Sequence, residues 1–174
     1  MKKIYILLMH TNTIPSKFVK VMTGYEYSHV AISLEKKCDI IYSFGRKKLH
    51  SIFNGGFSIE DKNGEFYKTF NETTCKIYEL QVNDIQYEKV KKTLEDMKKN
   101  INIYKYDFLG ITLRFFNIPL TLKNRYVCSY FVADLLEKAN IYNFGKQTCF
   151  IRPKDFENVN GLNEIYVGKY CLYK

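Results

Sequence analysis

The chain has 174 residues, of which 46 % are hydrophobic and 16 % aromatic, a composition that argues against a disordered chain and supports one domain over residues 1–174 with a substantial core. Its formal net charge of +9 suits nucleic acid, an anionic membrane surface or an acidic substrate. The lysines are scattered, however, and densest at Lys89, Lys91, Lys92, Lys98 and Lys99, which read as the solvated face of one helix. Five cysteines form an odd set with no CxxC pair, which argues against a disulfide framework.

The chain opens with Met1-Lys2-Lys3 and an apolar run of six residues, Ile4 to Met9, followed by His10, Thr11 and Asn12. The run is too short for a signal peptide and lacks a small-residue cleavage site, so it reads as a first buried strand. No stretch approaches the roughly 18 apolar residues of a membrane span. The expectation is a soluble cytoplasmic protein without a transmembrane segment. Ile14 to Gly24 patterns as a short helix, with Pro15 in its first turn and Gly24 able to end it.

Ser28 to Glu35 and Asp39 to Gly45 pattern as two strands of a hairpin around Lys36-Lys37-Cys38. Arg46 to Thr74 is rich in glycine and polar residues and predicts surface loops with a short strand near Gly56 to Glu60. Cys75 to Val82 predicts a strand. Asp84 caps a helix to about Lys99, with Tyr87, Val90, Leu94 and Met97 on one face. Tyr104 to Phe116 predicts a helix or helical turn that ends before Pro119. Cys128 to Ala139 is the clearest helix, because Cys128, Phe131, Val132, Leu135, Leu136 and Ala139 share a face while Asp134, Glu137 and Lys138 face outward. Asn163 to Tyr173 predicts a terminal strand.

A cysteine nucleophile acts as its thiolate, so it needs a helix N-terminus or an imidazolium to lower its pKa. Cys128 begins a helix, where free N–H groups stabilise an anion and can hold a developing oxyanion. Of the other cysteines, Cys38 lies in a turn, Cys75 and Cys171 in strands, and Cys149 in a loop. Among the histidines, His10 and His50 read as surface or strand-end residues, whereas His29 opens the apolar strand Val30 to Leu34 and is the candidate base. A third group should orient the imidazole. A three-residue turn in the hairpin puts Ser43 on the face of His29; a four-residue turn substitutes Tyr42. Tyr27 and Tyr126, which flank the two principal residues in sequence, are the expected substrate contacts. No zinc-like ligand spacing is present, so neither a metal nor another cofactor is expected. With no binding motif beside the charge, nucleic acid is not an expected partner.

Ser28-His29-Val30-Ala31-Ile32-Ser33-Leu34, Tyr104-Lys105-Tyr106-Asp107-Phe108-Leu109-Gly110 and Val127-Cys128-Ser129-Tyr130-Phe131-Val132 together resemble the permuted papain-like cysteine hydrolases of the NlpC and YiiX group, relatives of the lecithin retinol acyltransferase-like branch. The resemblance spans roughly Ile4 to Pro153 and includes Ile151-Arg152-Pro153, similar to a segment that follows the cysteine helix in these proteins. It implies an α+β, circularly permuted papain-like fold, with an antiparallel sheet packed on helices and the nucleophile at a helix N-terminus. It further implies Cys128 as nucleophile and His29 as base, with the third position near Ser43, where relatives often carry glutamate, histidine or another hydrogen-bonding residue. The implied activity is a thiol-dependent amidase or peptidase acting on an amide, isopeptide or related acyl bond of a peptide, amide or acyl-bearing substrate. The alternatives are an acyltransferase or thioesterase of the same fold, or a catalytically weak binding module.

Overall fold

The structure is a computed structural model that describes residues 1–11, 24–48 and 51–174. Apart from Gly24, the helix expected at 14–24 lies almost wholly outside these residues, as does His50. The described elements are, in chain order, β1 (Lys2–His10), β2 (His29–Ser33), β3 (Ile40–Lys48), β4 (Ser51–Asp61), α1 (Glu65–Thr69), β5 (Thr74–Val82), α2 (Asp84–Lys99), β6 (Lys105–Tyr106), α3 (Phe108–Phe115), β7 (Arg125–Tyr126), α4 (Cys128–Lys138) and β8 (Leu162–Lys169). The protein is α+β, and among the described residues eight strands form one sheet in the order β7-β6-β4-β3-β2-β1-β5-β8.

The sheet is mixed rather than antiparallel throughout. β6 and β7 run parallel, with Lys105 beside Arg125 and Tyr106 beside Tyr126. They are joined by an excursion carrying α3, and a parallel pair needs such a crossover where a hairpin would reverse direction. Arg46 to Thr74 also departs from the expected loops: β4 is an 11-residue strand paired along β3, and α1 follows it. Glycines that resemble loop punctuation belong to a strand because backbones crowd there. A Cβ on Gly55 would stand 2.7 Å from the Cβ of Tyr106 on β6.

Further along the chain, the cap of α2 is Asn83 rather than Asp84. The Asn83 side chain accepts from the Gln86 N–H while the Gln86 side chain accepts from the Asn83 N–H, a reciprocal box that leaves Asp84 as a first-turn acid. Val90, Leu94 and Met97 are buried from this helix, and its lysines face solvent as the sequence pattern predicts. The terminal strand stops at Lys169, where a 3-10 turn over Tyr170–Leu172 folds Tyr170 under the sheet.

Strand alternation sorts the core into two layers. Ile4, Ile6 and Leu8 of β1, Val30 and Ile32 of β2, Phe44 and Phe57 face α2 and α4, which supply Leu94, Phe131, Val132 and Leu136. Tyr5, Leu7, Met9, Ala31, Ile41, Cys75 and Ile77 face the other way, onto Tyr67 of α1 and Tyr170 and Tyr173 of the tail. The period of two in β1 and β2 therefore feeds both layers, which is why β1 is buried continuously from Ile4 to His10.

Candidate active site

Cys128 is the first residue of α4. The residue before it, Val127, is extended and contributes no capping side chain, so the first-turn N–H groups of this 11-residue helix are left to other acceptors. The helix is fixed by its apolar face in the upper core layer and by the Ser129 hydroxyl, which donates to the Ile151 carbonyl at 2.6 Å. That bond ties the Ile151-Arg152-Pro153 segment to the turn carrying the cysteine.

His29 is the first residue of β2, opposite Met9 of β1. The neighbouring Ser28 N–H donates to the Met9 carbonyl at 3.0 Å, which holds this strand end in place. Between β2 and β3 the pairing consists of Ala31 with Ser43 and Ile32 with Tyr42, and does not extend to Val30 or His29. The Cys128 thiolate is stabilised by the His29 ring and by the backbone N–H groups of Val30 and Ser129.

The electrostatic consequence separates this cysteine from the others. Burial pushes the thiols of Cys38 and Cys75 up to about 12 and raises that of Cys149. Cys128 is buried as well, 7 % exposed, and burial is the largest influence on it. Its pKa is nevertheless lowered, because the charge of His29, a hydrogen bond from that ring and the two N–H groups together outweigh desolvation. Of the four buried cysteines, only Cys128 is pulled toward thiolate.

The observed register puts Ser43 on the face of His29, as a three-residue turn requires. Tyr42 is corrected as the alternative third member: it faces the helix layer, stacked on Phe57 at 6.2 Å between ring centroids. It lines a cavity of about 290 Å³ with Leu34, Tyr87 and Leu94, and none of Cys128, His29 or Ser43 borders that cavity. Ser43 is fully buried, and its hydroxyl donates to Glu60 Oε1 at 2.5 Å. The other carboxylate oxygen accepts from the Tyr67 hydroxyl at 2.5 Å. Seen from the backbone of Gly45, His29 Cε1, Ser43 Oγ and Glu60 Oε1 converge: each lies 3.6–3.8 Å from the point a Cβ would occupy.

Glu60 is thus a carboxylate beside His29 that sequence reading missed. The signal was partial. A strand over Gly56 to Glu60 is legible, but its pairing with β3, Ile41 beside Glu60 and Ser43 beside Ser58, is needed to carry the carboxylate to this face.

The two tyrosines fare differently from expectation. Tyr27 is a core residue, 5 % exposed and edge-on to Tyr25, so it offers a substrate little surface. Tyr126 is half-buried and packs on Phe44 and Tyr130, at 5.1 and 4.7 Å between ring centroids. Tyr106, its neighbour across the parallel pair, lies closer to the chemistry. Burial raises its hydroxyl pKa, and the Cys128 thiolate raises it further. His10, expected as a surface or strand-end residue, is the last residue of β1 and is buried, as Cys149 is within its 3-10 turn.

In comparisons with known proteins, no family model matches this chain and no curated sequence matches it. Fold and site therefore define an α+β protein in which a buried cysteine at a helix start is paired with a histidine from a neighbouring strand.

Proposed function

We propose that the chain is a thiol-dependent hydrolase of the permuted papain-like kind, acting on an amide, isopeptide or related acyl bond. The observation that carries the reading is the lowered pKa of Cys128 despite its burial, at a helix start, beside His29. The order of histidine strand before cysteine helix supports the permuted arrangement. In this reading the Cys128 thiolate attacks the carbonyl carbon, and the first-turn N–H groups of α4 stabilise the oxyanion. The His29 imidazolium gives its proton to the leaving amine as the carbon–nitrogen bond breaks. Neutral His29 then takes a proton from water, whose oxygen displaces Cys128 from the acyl group, releasing the acid and restoring the pair. Glu60 acts as a positioning residue, with Ser43 and Tyr67 holding its carboxylate on the face of the ring.

The cytoplasmic peptide or amide substrate expected from the sequence belongs to this proposal. A binding module of the same shape is the second reading, favoured by the small exposure of the Cys128 side chain.

Iodoacetamide labelling followed by peptide mass analysis distinguishes the two, with the exposed Cys171 as the internal comparison. Cys128 in the intact protein is expected to alkylate at a lower pH than Cys171. In His29→Ala the ring's charge and hydrogen bond are gone, burial is opposed only by the Val30 and Ser129 N–H groups, and the Cys128 labelling midpoint moves to higher pH. Equal pH profiles for Cys128 and Cys171 in the wild type would remove the basis of the hydrolase reading.

A further inference from the structure

A second surface stands out beside the site. Of the ten large hydrophobic side chains that are exposed among the described residues, six fall between Ile103 and Leu122. Phe108 and Leu109 open α3, and Phe116, Ile118 and Leu122 follow it, with exposures from 37 % at Leu122 to 72 % at Phe116. Scattered single hydrophobics on a surface need no explanation, but such a concentration does.

The backbone makes the stretch a closed excursion from the sheet. It leaves after Tyr106 and returns at Arg125, and these strands lie side by side. Left-handed Asn117, at φ 56°, turns the chain after α3, where the Ile118 N–H donates back to the Leu113 carbonyl at 3.1 Å. Left-handed Asn124, at φ 59°, turns it into β7, and the Lys105 N–H donates to the Asn124 carbonyl at 3.0 Å. Lys105 and Arg125 are register partners at the base, Lys123 adjoins them, and all three are exposed.

Charge indicates what covers this surface. Residues 103–125 contain four basic residues and one acidic residue, so they hold three of the chain's nine net positive charges. The single acid, Asp107, is fully buried and ion-paired with Arg114 at 2.9 Å, so it does not offset the exposed cations. Exposed aromatic and aliphatic side chains above a base of Lys105, Lys123 and Arg125 match the chemistry of an anionic lipid interface, apolar below the headgroups and negative at them. Among the described residues no helix is long and apolar enough to cross a membrane, so contact of this kind would be peripheral.

We propose that α3 and the loop after it, residues 108–122 with the basic base at Lys105, Lys123 and Arg125, form a docking surface for an anionic lipid bilayer. The surface lies one ring from the reactive centre. Phe108 packs on Tyr106 at 4.8 Å between ring centroids, and Tyr106 feels the charge of the Cys128 thiolate. Docking is independent of the thiol chemistry, so Cys128→Ala binds vesicles as the wild type does whether or not the chain is a hydrolase.

Vesicle co-flotation of the full chain tests the proposal, using phosphatidylcholine alone and phosphatidylcholine with roughly a third phosphatidylglycerol. The wild type is expected on the anionic vesicles and to be released by salt. Leu109→Asp with Phe116→Asp is expected to weaken binding at least about tenfold, since each removes a side chain able to bury in the interface. Lys123→Glu with Arg125→Glu is expected to weaken it about twenty-five-fold or more, at roughly fivefold for each cation lost, and to abolish the preference for anionic lipid. All four positions are exposed, and the circular dichroism melting curve verifies that each variant is folded. Absence of vesicle binding by the wild type, equal binding to both vesicle types, or binding unchanged in both double variants overturns the proposal. Sedimentation that instead shows a dimer broken by Leu109→Asp with Phe116→Asp assigns the surface to a second copy of the chain and overturns it equally.

Discussion

The two faces of the sheet are built on opposite principles. The face toward α2 and α4 is filled by side chains without charge, with Phe44, Phe57, Phe131 and Leu136 packed in one cluster. The face toward α1 mixes apolar residues with Ser43, Glu60, Tyr67 and His29, held through specific hydrogen bonds. The first layer gives the helix a rigid seat. The second holds polar groups whose placement depends on each partner being present, because a buried group without a partner is costly. Cys128 belongs to a helix of the first layer, yet its sulfur meets a histidine at the end of β2, where the ladder to β3 has stopped. The site thus stands where the two layers meet.

Mutations can separate the contributions of the layers. The largest effect is expected for Phe131→Ala, which empties a ring-sized space between α4 and Phe44 and Phe57, and should cost about 3–5 kcal/mol in urea unfolding. Cys128 labelling below the pH of Cys171 should weaken in parallel, because the helix start loses its seat. A smaller loss, about 2–3 kcal/mol, is expected for Glu60→Ala, which leaves the Ser43 and Tyr67 hydroxyls without their acceptor. Ser43→Ala and Tyr67→Phe should each cost about 1 kcal/mol. The two single losses should not add in the double variant, since both act through one carboxylate. Glu60→Gln separates charge from shape. If Glu60 positions His29, the labelling midpoint of Cys128 rises in this variant while the unfolding midpoint moves less than in Glu60→Ala; an unmoved labelling midpoint sinks that role.

The smallest effect concerns pH. The folded-state pKa of Cys128 is lowered, so its thiolate stabilises the fold above the unfolded cysteine value of about 8.5. This stabilisation is lost as pH falls through the lowered folded value. Relative to Cys128→Ala, the wild type should therefore gain stability as pH rises across that interval. The gain is the remainder of opposing influences, burial against His29 and two N–H groups, and should fall well below the cost of an emptied core position. Urea midpoints of the two proteins, measured at several pH values, provide the check.

Much of this was legible because local chemistry sufficed. The period of the cysteine helix, with Phe131, Val132, Leu135 and Leu136 on one side, set its span to within a residue of Cys128–Lys138. The turn around Lys36 to Cys38 left two parities open, Ser43 or Tyr42 on the face of His29, and the pairing of Ala31 with Ser43 chose the first. The length of β4 was not legible, because Gly55 and Gly56 mark a loop in isolation and a close strand approach only when Tyr106 lies across them. Glu60 was missed for the same reason: a carboxylate at a strand end reads as solvent-facing until β3 and Tyr67 of α1 enclose it.

The sequence by itself determined which cysteine heads a helix and which histidine opens a buried strand, since both follow from the apolar periodicity within short windows. Only the tertiary structure decided that the sulfur feels the His29 ring, that Glu60 comes to the face of His29 beside Ser43, and that Tyr42 and Tyr27 serve the core. These depend on long-range strand pairing and on burial, and the physical reason is that the field at a buried atom is set by neighbours distant in the chain.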